Sequence, residues 1–244
     1  MNIYRKRICL VLPHLDDEFA LAPLIKHLAR FNEFKVIFCA ERKNTSLSIQ
    51  KQRRKENKSS LNYLGIKYED VFYINDYYLI EDMKIHLSKK IIYSYLSEMN
   101  ILFKFDILLT LNLEGGHPDH DSLSLIVKKF SNDENIKAYY FPAYNHRKTL
   151  IFIPFSVFKP LKSQEYFFQQ YRIKRFSWIA SFFVALNYRS EWRAMIKIIP
   201  FIIFKVLTSN FILFTEKLDP KSIDWDRSLT YSRYGVDSSL ILIN

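Results

Sequence analysis

Across the first 144 residues, short apolar runs alternate with segments of helical length, and nothing else in the chain restricts its fold as strongly. The runs at 8–12, 35–40 (KVIFCA), 70–75 (DVFYIN), 106–112 (DILLTLN) and 137–144 (KAYYFPAY) have strand length and strand composition. Segments 20–31, 46–64, 84–100 and 121–131 lie between them with helical patterning. Leu21, Leu24, Ile25 and Leu28, for example, fall on one face. Strands alternating with helices predict an α/β fold of layers around a mostly parallel sheet. Ligands of such sheets gather at the carboxyl ends of the strands, so chemistry is expected just after each run.

After residue 144 the alternation stops. Residues 139–192 hold 17 of the chain's 40 aromatic residues, and 176–214 reads as helical and very apolar. The expected organisation is a single domain, with an α/β core over 1–145. A C-terminal extension over 146–244, aromatic-rich and mainly helical, is expected to pack on the core or cap its cleft. Within it, 194–214 is interrupted by Lys197, Pro200, Lys205 and Asn210. It therefore falls short of the ~20 consecutive apolar residues of a bilayer span, and is expected to pack on the domain or lie at a membrane surface.

Lys and Arg number 36 against 25 Asp and Glu, a formal charge of +11. Such a surplus favours anionic partners: nucleic acid, an anionic membrane or a phosphate-bearing substrate. The most basic stretch, 42–58 (RKNTSLSIQKQRRKENK), reads first as a solvated helix face, since charge runs usually mean that. Apolar residues at 49% and charged residues at 25% exclude disordered, collagen-like and coiled-coil chains. Cys9 and Cys39 each sit inside an apolar run, which excludes a disulfide scaffold and a zinc ribbon. Four glycines without a Gly-rich loop exclude dinucleotide and P-loop motifs. The apolar stretch near the start is too short for a secretion signal, so a cytoplasmic or membrane-peripheral location is expected.

Two segments directly after strand-like runs carry chemistry. The first is Pro13-His14-Leu15-Asp16-Asp17-Glu18. Its acids could simply cap a helix and complement its dipole, but that leaves His14 unexplained. The second is Glu114-Gly115-Gly116-His117-Pro118-Asp119-His120-Asp121, which holds two of six histidines and the only Gly pair. The glycines permit unusual backbone angles and Pro118 stiffens the turn, so both imidazoles can be aimed. Asp121 could equally start the following helix.

Together the loops supply His14, Asp17 and His120. Two imidazoles and a carboxylate with one open position describe a catalytic Zn²⁺ site, and such ligands also accept Fe²⁺, Mn²⁺ or Co²⁺. A hydrolytic site further needs a carboxylate that takes a proton from water and a group that steadies the oxyanion. Asp16 suits the first role and His117 the second.

The pair PHLDDE and GGHPDHD resembles the PIG-L (LmbE-like) family of metal-dependent N-acetylglucosaminyl de-N-acetylases. In that family Pro-His-Pro-Asp-Asp-Glu is followed, in this order and at similar separation, by His-Pro-Asp-His. The resemblance covers about residues 6–145 and implies a three-layer Rossmann-like fold. It also implies metal ligation by His14, Asp17 and His120, with Asp16 as general base and His117 as the charge-stabilising imidazole. The division of labour between Asp16 and Asp17 rests mainly on this resemblance, and Asp119 is implied to tune His117 by hydrogen bonding. Arg53, Glu56 and Leu64-Gly65 match the family's Arg-x-x-Glu before Leu-Gly, which implies that Arg53 reaches substrate oxygens; an ion pair with Glu56 is the alternative. Tyr188-Arg189-Ser190-Glu191-Trp192 is similar to a Tyr-x-Ser-Gln segment in bacterial sugar deacetylases of the group. Leu15 departs from the family, which usually has Pro there, but no ligand or catalytic position is lost.

The expected activity is Zn²⁺-dependent hydrolysis of the acetamide of an N-acetylated amino sugar. Its carrier would be a nucleotide, lipid or polysaccharide precursor, and the product a free amine with acetate. The expected partner is that sugar substrate, phosphorylated or lipid-linked, with peripheral membrane contact and no nucleic acid. Two alternatives are an amidase on a glucosamine-containing thiol conjugate and a non-catalytic basic protein that binds membrane or nucleic acid.

Overall fold

The computed structural model describes residues 3–42, 45–145 and 156–223. Five strands form one parallel sheet: β1 (Arg7–Leu12), β2 (Glu33–Phe38), β3 (Val71–Tyr73), β4 (Ile107–Leu111) and β5 (Lys137–Phe141). Their order is β3-β2-β1-β4-β5. The chain therefore winds outward on one side of β1 and then jumps back to its other side, leaving a switch point between β1 and β4.

Both faces of the sheet are covered, as a parallel sheet requires. Along β1, Ile8, Leu10 and Leu12 point into one apolar core while Cys9 and Val11 point into the other. Helices α1 (Ala22–Leu28) and α2 (Leu47–Leu64) cover the first face, contributing Leu24, Ile25, Leu28, Leu61 and Leu64. Helices α3 (Lys89–Phe103) and α4 (Pro118–Asp133) cover the second with Ile92, Leu96, Leu123, Val127 and Phe130. Fully burying one such side chain is worth about 1.5–3 kcal/mol. The result is the expected three-layer α/β fold.

Two helix starts differ from the sequence reading for reasons that concern the site. Helix α4 begins at Pro118 rather than 121, because a proline at the first helical position loses no hydrogen bond and His117 caps it. Helix α3 begins at Lys89 rather than 84, because Met83 and Ile85 give their backbone N–H groups to the Asp119 carboxylate.

Beyond β5, the pairs β6 (Tyr144–Asn145) with β7 (Ser156–Val157) and β8 (Gln169–Arg172) with β9 (Phe211–Phe214) are antiparallel. Between β8 and β9 lie α5 (Ile179–Asn187) and α6 (Trp192–Thr208). The helical reading of 176–214 is thus corrected at its end. Ser209 leaves the helix in an extended conformation, and β9 alternates half-buried and buried residues with the period of a strand. Trp178, Val184, Met195, Ile202 and Phe214 join the same apolar core as α1 and α2. Thr215 exchanges two backbone hydrogen bonds with Tyr140, which covers the open edge of β5.

Candidate active site

Strands β1 and β4 are neighbours, with Ile8 opposite Ile107 and Leu10 opposite Leu109. The loops that follow them therefore leave the sheet side by side at the switch point, where a crevice forms between their carboxyl ends. Each loop is held by a carboxylate that folds back on its own backbone. Asp17 accepts from the His14 N–H at 3.0 Å, and Asp121 accepts from the N–H groups of Glu114 at 2.6 Å and Gly115 at 3.3 Å. Gly115 has φ +62°, and a Cβ there would come within 2.9 Å of Ile223, so both the turn and its packing need glycine.

Three imidazoles meet in the crevice. Ring centroids lie 4.9 Å apart for His14 and His117, 4.7 Å for His117 and His120, and 5.6 Å for His14 and His120. One ring nitrogen from each lies within 4.8 Å of the other two. The Asp17 carboxylate spans two of them, with its oxygens 3.2 Å from His14 Nδ1 and 3.4 Å from His120 Nε2. A nitrogen and oxygen donor set without thiolate suits a divalent cation of the Zn²⁺, Fe²⁺ or Mn²⁺ kind.

The hydrogen bond that the resemblance implied between Asp119 and His117 runs through the Asp119 backbone, while the carboxylate turns to other partners. That carboxylate pairs with His14 Nε2 at 3.0 Å and with the backbone of Met83 and Ile85, while the Asp119 backbone N–H donates to His117 Nδ1 at 3.2 Å. The latter bond fixes the tautomer of a neutral His117: Nδ1 accepts, so the proton sits on Nε2. Burial and the neighbouring His120 and His14 hold this imidazole down to about 3.

Charge is distributed unevenly over the cluster. Burial opposes a proton on His120, yet Asp17 and Glu114 outweigh it and lift the ring to about 10. Burial likewise opposes a proton on His14, and Asp82, Asp119 and Asp17 together raise it well above the usual range. Asp17 is opposed by burial but driven below the usual carboxylate range by His120 and His14. Asp16 beside it is pushed up to about 6 by burial and by the charge of Asp17. The acids around His14 and His120 favour positive charge at this point of the crevice, whether carried by protons or by a cation bound to the neutral imidazoles, and two adjacent carboxylates are separated into different ionisation ranges.

Arg53 on α2 is buried and faces the same crevice. Its guanidinium lies 3.5 Å from Asp16 and 3.3 Å from Glu191, and its buried Nε has no hydrogen-bond partner among the described residues. Glu56, the alternative partner, instead accepts from the Ser190 backbone N–H and hydroxyl and from Gln52.

Several residues at the crevice have no role assigned to them from the sequence. Asp82 follows β3 and lies 3.2 Å from His14 Nε2, forming a second His14–Asp82–Asp119 grouping. Only its position after a strand could have drawn attention to it. Arg42 donates to Asp82 and to Glu191. Glu114 lies in the second motif loop; its Oε2 stands 3.6 Å from His120 Nδ1, and burial raises its carboxyl to about 7 against the pull of His120. Tyr188 donates to the Leu15 carbonyl and to Glu18, while Asn57 donates to Leu15 O at 2.7 Å and to the Tyr188 hydroxyl at 2.9 Å. These last bonds clamp the first motif loop from α2 and from the end of α5.

Comparison with known proteins places the chain. A family model described as PIG-L, GlcNAc-PI de-N-acetylase, matches residues 9–131, half of the chain. No curated protein sequence matches significantly. Among solved structures, the zinc-inhibited form of teicoplanin deacetylase Orf2 is similar with a TM-score of 0.61 and 11% identity, covering 86% of this chain and 97% of the other. N,N'-diacetylchitobiose deacetylase from Pyrococcus horikoshii gives 0.53 at 15% identity, with coverages of 86% and 84%. The 4-carboxy-2-hydroxymuconate hydratase GalB from Pseudomonas putida gives 0.51 at 12%, with 86% and 94%. At such identities the likeness is one of fold, and this fold carries more than one chemistry.

Proposed function

This chain belongs to the PIG-L family, and from that premise we propose that it is a Zn²⁺-dependent N-deacetylase of an N-acetylated amino sugar of the N-acetylglucosamine type. The reaction breaks the amide C–N bond with water, leaving acetate and a free amine. The observation that carries this reading is the His14–Asp17–His120 cluster beside a second, separately ionising carboxylate and a neutral imidazole. His14, Asp17 and His120 would hold the cation. Once bound, it supplies Lewis-acid charge that polarises a carbonyl and acidifies water toward a pKa of ~7.

Asp16 takes the proton from the attacking water, and that proton leaves on the amine nitrogen. His117 serves as a donor because its proton lies on Nε2; there it stabilises the negative charge that develops on the amide oxygen. Its Nδ1 already accepts a backbone hydrogen bond and its Nε2 carries the proton, which is the reason for separating it from the ligand set despite its place in the cluster. Arg53 orients the substrate through its buried guanidinium edge, whose planar fork suits sugar hydroxyl or phosphate oxygens. Asp119 orients His14 and pins the 83–85 backbone.

Acetate release from a panel of N-acetylglucosamine compounds, with metal analysis of the same preparations, tests the proposal. Asp16→Asn keeps shape and ligand set, so metal content should be unchanged while turnover falls ~10²–10⁴-fold. Metal-loaded wild-type protein that releases no acetate from any member of the panel would remove the activity. Loss of metal in Asp16→Asn would exchange the roles of the two carboxylates.

A further inference from the structure

Helix α6 exposes an apolar stripe along its length. Trp192, Ile196, Ile203 and Leu207 are spaced by 4, 7 and 4 residues and so share one side of the helix. They are 45%, 49%, 45% and 68% exposed, while Met195, Ile198 and Ile202 on another side enter the core. Helix α5, packed against α6, repeats the pattern with Ile179, Phe183 and Leu186 exposed over buried Ala180, Val184 and Ala185. An exposed apolar surface running over two helices is more than scattered single residues and marks a contact site.

Charge says what the site contacts. Residues 166–215 contain seven Lys and Arg and one acid, Glu191. Glu191 is buried beneath Arg42 and Arg53, whereas every one of the basic residues except Lys205 is exposed. Arg193 and Lys197 flank the α6 stripe. At the amino end of α5, Lys174 and Arg175 join Lys26 and Arg30 around a groove that no acidic residue lines among the described residues. Phe176, 48% exposed, stands at the same groove.

We propose that the α5–α6 face, with this groove at one end, docks flat on an anionic phospholipid bilayer. Apolar side chains enter the acyl boundary while the arginines and lysines meet lipid phosphates, the division of labour of an interfacial helix. The face lies on the membrane rather than crossing it: no helix among the described residues is long and apolar enough to span a bilayer. A second copy of the chain is a poorer occupant, since it would set the same positive charges against each other. The stripe begins at Trp192, next to Glu191 and hence beside Arg42 and Arg53 at the crevice. Docking would therefore bring the crevice close to the lipid surface. The proposal does not depend on the deacetylase reading.

Flotation of the full chain with phosphatidylcholine vesicles, with and without phosphatidylglycerol, tests it. Binding should be at least ~10-fold tighter to the anionic vesicles and should weaken with salt. The exposed triple variant Trp192→Ser/Ile203→Ser/Leu207→Ser should bind at least ~10-fold more weakly. The variant Lys174→Gln/Arg175→Gln/Arg193→Gln/Lys197→Gln should lose the preference for phosphatidylglycerol. Absence of flotation with anionic vesicles, or equal flotation of wild type and both variants, would overturn the proposal. So would a stable dimer in sedimentation that the triple variant dissolves, because that assigns the face to a second copy.

Discussion

The crevice at the carboxyl edge of the sheet and the α5–α6 face depart from ordinary burial in opposite senses. In the first, Glu18, Asp119, His120 and Asp121 are fully buried; in the second, Phe204 and Leu207 are 60% and 68% exposed. Lone apolar side chains on a surface cost little, but buried ionisable groups are costly unless partnered. The crevice meets that condition with contacts between distant parts of the chain. His14 reaches Asp119 across 105 positions, and Tyr188 reaches Leu15 across 173. The α5–α6 face needs no such contacts, because its pattern is local to two helices. Substitution should therefore act on function and assembly in the first region, and on surface properties in the second.

The sharpest way to break this contrast is at the ligands. Asp17→Asn should lose metal and activity together, beyond the ~10²–10⁴-fold expected of a missing general base alone. His117→Ala should keep its metal and lose ~10²–10³-fold in kcat with little change in KM. Metal analysis beside kinetics separates the two, and metal loss from His117→Ala would make it a ligand. A smaller effect is expected one layer further out. Glu114→Gln keeps its volume but weakens the hold on His120, so metal affinity measured against a competing chelator should fall ~10–100-fold. Unchanged affinity would mean that His120 is oriented by other contacts.

The last effect is on stability alone and concerns Lys205, which is buried on α6. Its ammonium is buried over the Trp178 and Phe211 rings at 5.5 and 5.3 Å. Burial and the nearby Lys159 lower it from 10.5 to about 8. Below pH 8 the lysine is charged in both folded and unfolded chains, so its cost to the folded state is fully present. Between about 8 and 10.5 the unfolded chain binds more protons, and stability rises with pH. Lys205→Met removes the charge and keeps the stem, and should stabilise the protein at pH 7 by ~2–3 kcal/mol in urea unfolding. The gap between variant and wild type should close as pH approaches 10.5.

The elements of the α/β core were legible because each is a local pattern. β1, β2, β3, β4 and β5 fall within one or two residues of their apolar runs, except that β5 stops at Phe141 where the run continued to 144. The helix expected through 214 instead gave way to β9, since Phe-Ile-Leu-Phe suits a strand or a helix equally until Gln169–Arg172 offers it a partner. The motif loops were also legible, because His14, Asp16, Asp17, His117 and His120 lie within two short segments.

Residue types and spacing alone determined an alternating chain, two His–Asp loops placed after strands, and a very apolar stretch over 176–214. Tertiary structure alone decided that β4 lies beside β1, which brings loops a hundred residues apart to one crevice. It likewise decided that Asp119 turns to His14 while giving His117 only a backbone N–H, that Asp82, Arg42 and Glu191 complete the rim, and that Tyr188 and Asn57 clamp Leu15. The physical reason is range. Apolar period and turn chemistry act between near neighbours in the chain, whereas a buried charge must find its partner in space, and that partner is set by strand order and packing.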